Sequence, residues 1–208
     1  SMRRYGSAWV DRGVPVRPVG QRDTYVNAFN PDTIPADLII TDIVAGGAYG
    51  SQLYGVGYRT GSKQLTVYKF SCRDTEPHCV AQYTVNMPSE VDLSTAKFAA
   101  SYAFSADLLF MAAANKVYRV DLKRNKVVEV YAAPNDAQVV CAKFKNCETT
   151  ELLGTTMGVA YNQGDKGMVV ELKLTASGDL ARVSNASFVY GNGSIPFGKI
   201  ADITYNYE

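Results

Sequence analysis

The single histidine, His78, lies in Glu76-Pro77-His78-Cys79. Any Ser-His-Asp or Cys-His arrangement would have to use it. The flanking proline and cysteine mark a turn, where a lone imidazole is ordinarily just solvated. Paired carboxylates are the other route to catalysis, because glycosidases work with two of them about 5–9 Å apart. The chain carries one such echo, Ile40-Thr41-Asp42-Ile43 and Ile200-Ala201-Asp202-Ile203. Asp42 and Asp202 are therefore candidate binding residues, and the carboxylates that an enzyme on this fold would use. The structural alternative is that each accepts a hydrogen bond from a neighbouring backbone and fixes a junction between repeated units.

The four cysteines fall into two local pairs, Cys72 with Cys79 and Cys141 with Cys147. Local pairs fit hairpin-scale disulfides in an oxidising compartment, and four cysteines allow three pairings. Cys72–Cys79 is the favoured pair, because Arg73 to His78 forms a turn between two strands. The alternative is four reduced thiols, with Cys141 in an apolar run where buried cysteine is common. No metal site is expected: there is no C-x2-C step and only one histidine to join the thiolates. Gly191-Asn192-Gly193-Ser194 lacks the lysine of a phosphate loop, and Asn162 to Gly167 lacks the acidic density of a calcium loop. Both are hairpin turns, and no cofactor is expected. For binding, the aromatics to watch are Trp9, Tyr49 and Tyr102. Tyr49 sits in the loop Gly46-Gly47-Ala48-Tyr49-Gly50, where a ring can stack on a sugar. The alternative for each is a place in the core.

Those residues need strands to hold them. Leu38 to Ala45 is continuous and β-branched. Leu53–Tyr58, Leu108–Ala113 and Met157–Tyr161 are apolar and rich in small residues. Each turns through polar residues into an alternating strand: Leu65–Phe70, Val117–Leu122 and Met168–Leu174. Fourth strands follow at Val80–Met87, Val127–Tyr131 and Leu180–Val189. No stretch keeps an apolar period of 3.6 long enough for a helix; Leu93–Ala100 comes nearest, and a strand is preferred there. The first strands of successive units begin near Leu38, Ala96, Gln138 and Gly198, in steps of about 40 to 60 residues. The expected fold is all-β, a β-propeller or partial propeller of four-stranded antiparallel blades, with a β-sandwich as the alternative. In each blade the second strand should be buried on both faces and the third closer to solvent.

Residues 38–208 form this repeated region as one domain, the C-terminal part of a larger protein. Residues 1–37 are an irregular segment broken by Pro15, Pro18, Pro31 and Pro35. Three full units cannot close a ring, since propellers have about four to eight blades. Either Ile200–Tyr207 pairs with an N-terminal strand as a composite fourth blade, or further blades precede the chain. Ser1-Met2 has the form of a vector remnant, so a lost leader or lipid-anchoring cysteine leaves no trace here. No run of about 20 apolar residues is present to span a membrane. The net charge of +1, with Lys and Arg spread evenly, leaves no electrostatic footprint for nucleic acid.

The pattern of residues 100–208 resembles the C-terminal region of PKD-like family lipoproteins of Bacteroidota. The likeness rests on the "VYRVDL" strand after Ala106, the "GVAYNQGDKGMVVEL" hairpin and the closing Phe197–Tyr205 stretch. It implies an extracytoplasmic setting, at the cell surface or in the periplasm, with a lipid anchor outside these residues. It also implies a role linked to glycan uptake, with a glycan or another cell-surface protein as partner. The expected function is a binding or scaffold module. A propeller-fold glycosidase or lyase, or a purely structural spacer, are the alternatives.

Overall fold

The computed structural model describes residues 35–46, 52–71, 78–100, 107–145, 156–175, 180–182 and 198–205. Among them every regular element is a strand, and no helix is long and apolar enough to cross a membrane. The strands make three antiparallel sheets of four. Blade 1 contains β1 (Leu38–Gly46), β2 (Gln52–Arg59), β3 (Gln64–Ser71) and β4 (His78–Asn86). Blade 2 contains β5 (Lys97–Ala99), β6 (Leu108–Ala113), β7 (Lys116–Asp121) and β8 (Lys126–Ala132). Blade 3 contains β9 (Ala137–Phe144), β10 (Thr156–Gln163), β11 (Lys166–Leu174) and β12 (Leu180–Arg182). Each sheet is a plain meander, so every strand pairs with its neighbours in sequence.

The blades stack in series, and the sequence of β6 shows why. Leu108–Ala113 is apolar throughout because both of its faces are covered. Leu109, Met111 and Ala113 enter the core shared with blade 1, where they meet Val56, Leu65 and Val67. Phe110 and Ala112 enter the core shared with blade 3, where they meet Val139, Met157 and Val159. Any two adjacent sheets form a face-to-face pair. At one end of the sheets the first strands contact one another in series, β1 with β5 and β5 with β9. The fourth strands β4, β8 and β12 neighbour one another at the other end.

The third strand of blade 1 departs from expectation. Leu65 and Val67 are buried toward blade 2, but Thr66, Tyr68 and Phe70 on the opposite face are buried as well, at 7%, 2% and 0% exposure. Leu38 and Leu53 of the same sheet pack with Tyr68 and Phe70. Strand alternation therefore carries no exposed face here, and β3 lies no closer to solvent than β2.

A latch recurs at each blade junction. The hairpin of a blade's second and third strands grips the chain that follows the blade. In blade 1 the Lys63 carbonyl accepts from Met87 N at 2.8 Å, and Lys63 Nζ donates to the Val91 carbonyl at 2.7 Å. In blade 2 the Asn115 carbonyl accepts from Ala133 N at 2.8 Å, and Asn115 Nδ2 donates to the Ala133 carbonyl at 3.0 Å. Ala114 holds φ at 51° in the same turn, and its carbonyl accepts from Val139 N at 2.8 Å. In blade 3 Asn162 makes a paired bond with Ile200, Nδ2 to the carbonyl at 2.9 Å and the Ile200 amide to Oδ1 at 2.8 Å.

The third latch defines the role of the closing segment. Residues 198–205 take no ladder position among the described residues. Instead they lie across blade 3, with Ile200 and Ile203 packed on Cys141, Ala160 and Val169. The Tyr205 hydroxyl donates to Glu171 Oε2 at 2.7 Å. The segment thus stands against blade 3 as β9 stands against blade 2. Two glycines make room for it. A Cβ on Gly158 would lie 2.6 Å from the Tyr205 hydroxyl, and one on Gly167 would collide with Ile200 and lie 2.5 Å from the Gly198 carbonyl. The Gly167 clash involves backbone and cannot be relieved by a rotamer. Gly167→Ala should cost about 1–3 kcal/mol, the range for overpacking a fitted interface. Hydrogen exchange checks it: the Ile200 and Ile203 amides should lose protection while those of β6 and β7 keep theirs.

Candidate functional site

The strongest candidate site lies where the first strands converge. β1, β5, β9 and the closing segment enclose a cavity of about 280 Å³. Its wall includes Asp42 from β1, Lys97 from β5, Cys141 and Lys143 from β9, and Asp202 from the closing segment. A second cavity of about 270 Å³ shares Ile43, Val44, Phe98 and Lys143 with the first and reaches Tyr205. Together they follow the row of first strands, the axis of the stack.

The echo between the two aspartate tetrapeptides is a repeat in space. Asp42 Oδ1 accepts from the Ile43 amide at 2.9 Å, and Asp202 Oδ1 accepts from the Ile203 amide at 2.9 Å. The other contacts differ. Asp42 Oδ2 accepts from the Phe98 amide of β5 at 3.0 Å, which ties blade 1 to blade 2. A bulge between Ile40 and Asp42 re-aims β1 for this contact. Asp202 reaches back to β9, where the Cys141 thiol donates to it and Lys143 Nζ lies 3.5 Å away. Both aspartates thus line one cavity, and both hold a junction.

The electrostatics separate Asp202 from a general acid. Burial alone would raise the Asp202 carboxyl, but hydrogen bonds from Cys141 and the Ile203 amide, with the Lys143 charge, hold it below the ordinary range. A proton donor in glycoside cleavage needs the opposite shift. Cys141 is buried and free, and burial pushes its thiol up to about 11, with Asp202 beside it acting in the same direction. It is a packing residue with a hydrogen bond, since nucleophilic cysteines have depressed values.

Cys79 is exposed and free, and its thiol donates to the Ala81 carbonyl at 3.5 Å. The partners proposed for these two thiols, Cys72 and Cys147, lie outside the described residues, as do Trp9, Tyr49 and Tyr102. His78 opens β4 opposite Ser71. Among the described residues no group of three metal-ligating side chains occurs.

Sequence reasoning missed Lys97 and Lys143. Both stand in first strands, and superposing those strands in sequence would have set them beside Asp42 and Asp202. It also missed Asp107, a buried carboxylate between blades 1 and 2. Asp107 Oδ1 pairs with Lys69 Nζ at 2.6 Å, and Oδ2 with Lys123 Nζ at 3.3 Å. The Tyr83 hydroxyl donates to Oδ2 at 3.3 Å, and the Tyr54 hydroxyl lies 3.4 Å from Oδ1. The signal was a lone acid immediately before the apolar run of β6.

Fold and site together define a class: an all-β module of serial four-stranded antiparallel sheets with a polar cavity beside their first strands. No protein-family model matches the chain, and no curated protein matches it.

Proposed function

We propose that the chain is a non-catalytic binding or scaffold module that works outside the cytoplasm as part of a surface lipoprotein. One observation carries the non-catalytic part. Both carboxylates accept from the amide of the next residue, and Asp42 accepts also from the Phe98 amide across the blade 1–blade 2 junction, so they act as fixed acceptors in a wall. The resemblance of residues 100–208 to PKD-like lipoproteins supports the extracytoplasmic setting, the lipid anchor elsewhere, and a glycan or cell-surface protein as partner. A glycan array probed with the purified chain tests the reading. Retention of a defined subset of glycans is expected; retention of none overturns it.

The presence of Asp42 and Asp202 in one cavity favours a second reading, a propeller-fold glycosidase or lyase. Release of new reducing ends from the array glycans, abolished in Asp202→Asn, would establish it in place of the first.

A further inference from the structure

The axial cavity has a composition that selects among ligands. Its charged groups are two ammoniums, Lys97 and Lys143, and two carboxylates, Asp42 and Asp202. They balance, so the wall has no net charge to attract an anion or a cation over a neutral molecule. It offers donors and acceptors together. Each Asp oxygen bonded to an amide keeps a second lone pair, and the amide fixes its direction. Lys97 is exposed and has no carboxylate partner among the described residues. Lys143 is held only at 3.5 Å by Asp202, and both side chains are substantially open, at 40% and 69%. Ile43 and Phe98 supply an apolar wall beside these groups. Rigid acceptors, mobile donors and an apolar surface suit a molecule with hydroxyls on its rim and C–H bonds on its face.

Size narrows the class further. About 280 Å³ lies at the small end of ligand pockets. It has room for one six-carbon polyol ring, with the adjoining cavity of about 270 Å³ beside it. Resting on the binding reading above, the geometry points to a neutral, monosaccharide-sized polyol as the ligand of this cavity, held between the Lys97 and Lys143 ammoniums and the Asp42 and Asp202 carboxylates.

Saturation-transfer NMR with glucose, galactose, mannose and myo-inositol in turn tests this, with acetate and glucuronate as charged comparators. At least one neutral probe should give saturable binding in the millimolar range. Lys97→Met and Asp202→Asn should each weaken it about tenfold, the loss of one charge-assisted hydrogen bond. Lys97 is open to solvent and has no ion-pair partner among the described residues, so Lys97→Met should melt close to the parent chain, and binding by Asp202→Asn is read at a temperature where its melt shows it folded. Binding of acetate or glucuronate in preference to every neutral probe overturns the polyol assignment, as does neutral binding that neither variant alters. A positive glycan array with no binding of any small probe overturns this inference and leaves the binding module standing. Failure of both assays overturns both.

Discussion

Asp107→Asn should destabilise the protein by about 3–5 kcal/mol, the cost of removing one partner from a buried ion pair. The side chain is 5% exposed and its closest partner, Lys69, is 14% exposed. Asparagine keeps the size of the residue and tolerates its φ of 51°, so the change isolates charge from backbone strain. What remains is an ammonium of blade 1 facing an uncharged amide, with two tyrosine hydroxyls that lose a charged acceptor. For a chain of this length the melting temperature should fall by about 6–20 °C. The pH dependence has a definite sign. Burial opposes ionisation of Asp107, but the hydrogen bonds and charges of Lys69 and Lys123 overcome it and hold the carboxyl below its ordinary value. A group depressed in the folded state stabilises fully above its unfolded value of about 3.9, and that contribution disappears as pH falls through the folded value. Thermal melts between neutral pH and pH 2 should therefore show a loss in the parent chain that is shallower in the Asn variant. A double change, Asp107→Asn with Lys69→Met, should recover much of the loss; a double variant no better than Asp107→Asn alone would show that the pair is not coupled.

Phe110→Ala should cost about 3–5 kcal/mol for a different reason. Phe110 has no exposed surface and lies edge-on to Phe144 of β9, with ring centroids 5.3 Å apart and planes at 78°. Truncation leaves a cavity at the centre of the blade 2–blade 3 interface and removes an aromatic pair worth about 0.5–1.5 kcal/mol beyond its area. Denaturant unfolding should show a lower midpoint with an unchanged slope. A changed slope would mean that blade 3 has come loose from blade 2 in the native state. Phe110→Leu should retain more than half of the lost stability, since it restores most of the volume.

How much of this was legible in sequence depends on whether neighbours along the chain or across it decide the outcome. The strands were legible because a meander encodes itself locally. The apolar run Leu108–Ala113 and the alternating Val117–Leu122 appear as β6 and β7 within one residue. Leu93–Ala100, the nearest approach to a helix, resolves into a turn at Asp92–Thr95 and the short strand β5. The burial of the third strand of blade 1 was not legible, because the environment of Phe70 is set by what lies against the far face of the sheet, while β7 and β11 are more open than β6 and β10 as expected. The repeated Asp tetrapeptide was visible in sequence, but its amide-held geometry and its contacts to β5 and β9 were not. Those depend on which strands meet at the axis. Asp107 was hidden for the same reason: four of its partners come from three different strands of blade 1 and a turn of its own blade.

The latches all point the same way along the chain. Lys63, Ala114, Asn115 and Asn162 each hold residues that lie downstream, between 18 and 38 positions later in the side-chain bonds of Asn115 and Asn162. On a translating ribosome the gripping hairpin therefore always emerges before the stretch it will grip. Each unit can complete its own short-range ladder and wait as a template for the next. Vectorial assembly is the expected consequence: a chain truncated after a hairpin should end with a finished hairpin and an empty grip.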